Sequence, residues 1–75
     1  MSTVEESMAR FEVALDEHIA AFRALELRTL LQYGEPTAAE LDYWQADRAM
    51  VWQDWRASVM SKMRAQLERN GAQVH

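Results

Sequence analysis

The chain has 75 residues, no cysteine, and 8 basic against 12 acidic side chains, for a formal net charge of −4. That length supports one small domain, spanning 1–75. Without cysteine there can be no disulfide or thiolate metal site, and the acidic balance argues against nucleic acid as a partner. No apolar run approaches the roughly 20 residues of a membrane span, so no membrane insertion is expected. Residues 1–6 lack the basic region and apolar core of a signal peptide, and the lack of cysteine fits a reducing cytoplasmic setting. Glycine occurs twice and proline once, all near expected helix ends. This is an all-α composition.

The first helix has two candidate starts. Ser2 with Glu5, and Thr3 with Glu6, both have capping-box spacing, in which a hydroxyl and a carboxylate satisfy free amides of the first turn. No Gly or Pro then intervenes before Gly34, so the spacing predicts a helix over about 3–33, a rod of roughly 45 Å. Val4, Met8, Phe11, Leu15, Ile19 and Phe22 recur at intervals of three and four, and Leu30 and Tyr33 resume the stripe. Glu26 and Thr29 interrupt it, and Leu25 sits at its edge. A second, weaker stripe lies nearly opposite and includes Val13, Leu27 and Leu31. A helix apolar on two sides touches two things.

Gly34 can take the left-handed conformation that ends a helix, and Pro36 biases Glu35 towards extended backbone. Thr37 with Glu40 is another capping box, which starts a second helix at about Ala38 and carries it to Arg69. Asn70-Gly71 reads as its terminator and 70–75 as a frayed tail. Its main face carries Leu41, Trp44, Val51, Trp52, Trp55, Val59 and Met63, drifting to Leu67, with Tyr43, Met50 and Met60 off that face. A link as short as Gly34 to Thr37 makes the helices antiparallel neighbours.

Equal rise in both helices brings level those residues whose numbers total about 71. Leu30 then meets Leu41, Ile19 meets Trp52, Leu15 meets Trp55 and Met8 meets Met63. Aromatic residues at helical spacing with apolar partners read as core. Arg48 interrupts the tryptophan face and Glu26 the face opposite, about one turn off that register. They are expected to form a partly buried pair, joined by Thr29, that fixes register more than it stabilises. The basic end of the second helix (Arg56, Lys62, Arg64, Arg69) falls beside Glu5, Glu6 and Glu12.

The chemistry-bearing residues point away from catalysis. Asp16-Glu17-His18 resembles a ligand cluster on paper, but neighbours on a helix diverge by about 100°, and His75 lies in the tail, so neither a metal nor a cofactor is expected. Ser58 and Ser61 have no evident base beside them. Val13, Leu27, Leu31, Tyr43, Met50 and Met60 cannot all be buried within one hairpin and are the candidate partner-binding residues. The expected architecture is an antiparallel two-helix hairpin, completed as a four-helix bundle by a homodimer or by a partner protein.

The stretch from Leu25 to Val59 resembles the small two-helix needle-subunit co-chaperones of type III secretion systems. The similar features are an Arg- and Leu-containing helix end, the turn at Gly34, a short loop, and Tyr43-Trp44-Gln45 opening the second helix. The three tryptophans and the longer second helix depart from that pattern. The resemblance implies a cytoplasmic, non-enzymatic chaperone or adaptor that masks an apolar surface of a partner. The alternative is a small homodimeric phage-encoded inhibitor or regulator that blocks a host protein.

Overall fold

In a computed structural model the described residues, 3–73, form two helices, α1 (Val4–Gln32) and α2 (Ala38–Gln73), joined by a short link. The 36 residues of α2 make a rod of about 54 Å. The long dimension of the molecule is 57 Å, with the others 17 and 15 Å. The hairpin is therefore one α2 long and two helices across.

Local chemistry sets the helix ends. Of the two candidate starts of α1, Thr3 is the cap: its Oγ1 accepts from the Glu6 amide at 3.0 Å, and its carbonyl accepts from Ser7 at 3.0 Å. Ser2 lies outside the described residues. Glu5 and Glu6 sit in the first turn, where the helix dipole favours negative charge. At the other end the Tyr33 amide donates to the Leu30 carbonyl at 3.1 Å, and Gly34 turns the chain at φ 136°. The capping box of α2 is reciprocal. The Glu40 amide donates to Thr37 Oγ1 at 3.1 Å, and the Thr37 amide donates to Glu40 Oε1 at 3.3 Å.

The far end of α2 departs from expectation. Asn70-Gly71 does not stop the helix, which continues to Gln73, and Gly71 does not take a positive φ. A glycine terminates a helix only by adopting the left-handed conformation; otherwise it is merely a weak helical residue. Of the expected tail, residues 74 and 75 lie outside the described residues.

Ion pairs show how the helices are aligned. Glu5 pairs with Arg64, Glu12 and Asp16 with Arg56, and Glu26 with Arg48. As the number rises along α1 it falls along α2, and each pair totals close to about 71, as equal rise requires.

The core between the rods is thin. Met8, Leu15 and Ile19 are the buried residues among those described, all from α1. The expected tryptophan core does not close. Trp55 is 42% exposed, Val51 44% and Phe22 41%, while Trp44 and Trp52 are partly covered. Two cylinders touch along one line, so side chains off that line on either helix keep one side in water.

Two substitutions separate these contributions. Leu15→Ala removes one of three buried side chains and should cost about 2–5 kcal/mol, read as a lower urea midpoint. Gly34→Ala meets no atom within 4 Å of the added Cβ. Its cost is therefore backbone strain alone, about 1 kcal/mol or slightly more, with helicity retained.

Candidate functional site: an aromatic flank

The two edges of the hairpin differ in kind. At about 100° per residue, His18 and Leu25 fall on one side of the buried Leu15–Ile19 line of α1, and Glu12 and Asp16 on the other. The second edge is ion-paired. Arg56 presents its fork to Asp16, with Nε to Oδ1 at 2.7 Å and Nη2 to Oδ2 at 3.2 Å, and Nη2 also reaches Glu12 at 2.9 Å. Arg64 grips Glu5 in the same two-pronged way, at 2.8 and 3.2 Å. Such forks favour one geometry over others. Their hydrogen bonds, followed by the attraction of the cation, hold Glu5 below the ordinary carboxylate range. Asp16 is also lowered, chiefly by the Arg56 hydrogen bond.

The first edge is apolar. His18 packs edge-on against Phe22, with ring centres 4.6 Å apart and planes at 78°. Phe22 stacks on Trp52 at 5.9 Å and 19°, and Trp52 meets Trp55 edge-on at 5.4 Å and 87°. His18, Phe22, Val51, Trp52 and Trp55 line an open groove together with Arg48. It continues past Leu25, Leu30 and Trp44 towards the link, where Pro36 and Tyr43 line its end. Edge-on and offset contacts of this kind are the arrangements aromatic rings favour.

Glu26 sits under that surface. Its Oε2 accepts from Arg48 Nε and its Oε1 from the Trp52 indole Nε1. Thr29 is not part of this node. Its hydroxyl instead donates to the Leu25 carbonyl at 2.9 Å. Burial is the largest influence on the Glu26 carboxyl and by itself favours the neutral form. The hydrogen bonds from Arg48 and Trp52, with the fields of Arg48 and Arg23, together outweigh it, and the group sits below its ordinary value. An indole donor on the neighbouring helix could not be assigned from composition, because Trp52 also fits an apolar stripe.

The six partner-binding candidates do not share one place. Val13 and Leu31 are exposed behind α1, at 60% and 49%, Met50 is exposed behind α2, at 60%, and Tyr43, 78% exposed, lies at the link end of the groove. Leu27 and Met60 are partly covered and lie towards the ion-paired edge. The signal missed in the sequence was the breadth of the main stripe: Phe22 with Leu25, and Val51 with Trp55, extend it beyond what one opposing helix covers.

No group of three or more His, Cys, Asp or Glu able to hold a metal occurs among the described residues. No described helix is long and apolar enough to cross a membrane. No family model, curated protein or solved structure matches the chain.

A folded pKa below the unfolded one means that the unfolded chain takes up protons first as pH falls. The stabilisation from Glu5, Asp16 and Glu26 is therefore present above their ordinary values, 4.5 for Glu and 3.8 for Asp, and is lost below them. Thermal midpoints should fall from about pH 5 downward. Glu26→Gln should lower the midpoint at neutral pH and flatten part of that dependence.

Proposed function

We propose that this chain is a cytoplasmic, non-enzymatic protein-interaction module: an antiparallel hairpin that contributes two helices to a four-helix assembly and masks an apolar surface of a protein partner. The single observation that carries the reading is the contiguous aromatic edge, where Phe22, Leu25, Val51 and Trp55 are each between 41% and 51% exposed. Contiguous apolar surface of this kind marks sites of protein contact, and Trp is among the residues enriched in binding hot spots. The apolar face of an amphipathic helix is the natural complement to a groove between two helices. A chaperone or adaptor role follows. A partner helix that would otherwise expose its own apolar face is covered along the groove, and the thin core of the hairpin is completed by the same contact.

Coexpression with the product of each neighbouring gene tests this reading. Masking predicts that a neighbour product insoluble by itself stays soluble with the wild-type chain and precipitates with Trp55→Asp. Gln53→Asp, on the ion-paired edge, should leave it soluble. Neighbour products whose solubility is the same with and without the chain contradict the reading.

A further inference from the structure

We propose that, before any partner is met, the aromatic edge is covered by a second copy of this chain in one register, with α2 against α2 about a two-fold axis that passes between Asp54 and Trp55. The proposal deepens the interaction reading above, on which it rests, by naming the occupant.

Charge along the edge of α2 is complementary to itself about this axis. Glu40, Asp47, Lys62 and Arg69 are all exposed, and at 100° per residue all lie within about 40° of Val51 around the helix. The acidic pair is towards the link and the basic pair towards the far end. None of the four takes part in the ion pairs described above. A two-fold axis reverses the helix and makes each contact reciprocal. Glu40 comes level with Arg69 of the second copy, and Asp47 with Lys62, at one and the same midpoint. Two independent pairs need not share a midpoint.

The same midpoint arranges the apolar residues well. On α2, Trp44 comes level with Ala65, and Val51 with Ser58. The ion pairs within the hairpin relate this level to the Asp16–Glu17 level of α1. About that level Phe22 falls opposite Phe11, and Leu25 comes level with Met8, next to Ser7. Large side chains meet small ones or each other, which is how facing helices interdigitate. On the opposite edge Glu5, Glu12, Asp16, Arg56 and Arg64 are already engaged within the chain.

The absence of native cysteine makes a clean test. Val51→Cys and Ser58→Cys are purified separately, checked for helicity, then oxidised alone and as an equal mixture. The register predicts a disulfide dimer in the mixture and none from either variant alone, since like positions stand about 10 Å apart along the axis. Lys62→Glu, which counts twice across the axis, should raise the dissociation constant about tenfold, and adding Asp47→Lys to it should restore association. Cross-linking of either variant with itself, or no rescue by the second charge reversal, overturns the register. A helical monomer with no cross-link overturns the second copy as occupant, and the masking of a neighbour product is then judged by coexpression alone.

Discussion

Two helices packed side by side can cover each other along only one line. In this chain that limit governs everything else. A single opposing rod buries Met8, Leu15 and Ile19 and then runs out of surface. An apolar stripe wider than the contact line is left half in water on one edge, and Phe22, Val51 and Trp55 are its exposed half. Fully burying a large apolar side chain is worth about 1.5–3 kcal/mol, and these three realise only part of it within one hairpin.

Polar groups set alignment where apolar ones cannot. A row of Leu, Val and Trp would tolerate sliding by a turn with little loss. Forked arginine–carboxylate contacts tolerate far less, and Glu26 tolerates least, because one carboxylate serves Arg48 and the Trp52 indole together. Removing either donor leaves a partly covered carboxylate oxygen short of a partner, which costs more than the bond adds. The exposed pairs of Arg56 and Arg64 add little to stability, because water screens them. Their value lies in holding one register, so that the aromatic edge keeps a single shape. Surface and alignment are thus linked: Trp52 lies between Phe22 and Trp55 and is also the residue tied to Glu26.

Much of this was legible in the sequence because it is local. Thr3, Thr37 and Gly34 act within three or four residues of themselves, and their roles follow from spacing and backbone freedom. The charges of the two helices likewise foretold which ends lie together. Two kinds of information were not legible. An apolar residue at helical spacing looks the same whether another helix covers it or not, so Trp55 read as core. Capacity also differs from use: Gly71 could have ended α2 and Thr29 could have joined Glu26, but the glycine stays helical and the hydroxyl turns back to Leu25. The outer candidates lie apart for a geometric reason: Val13 and Met50 are exposed behind different helices.

The central claim is that this hairpin is incomplete alone. The most direct measurement is the solution mass of the purified 8.7 kDa chain by light scattering over a wide concentration range, with helicity followed in parallel. The account predicts twice that mass for the helical state, with mass and helicity falling together on dilution. A chain that stays helical at the single-chain mass throughout, and unfolds at a midpoint independent of its concentration, would contradict it.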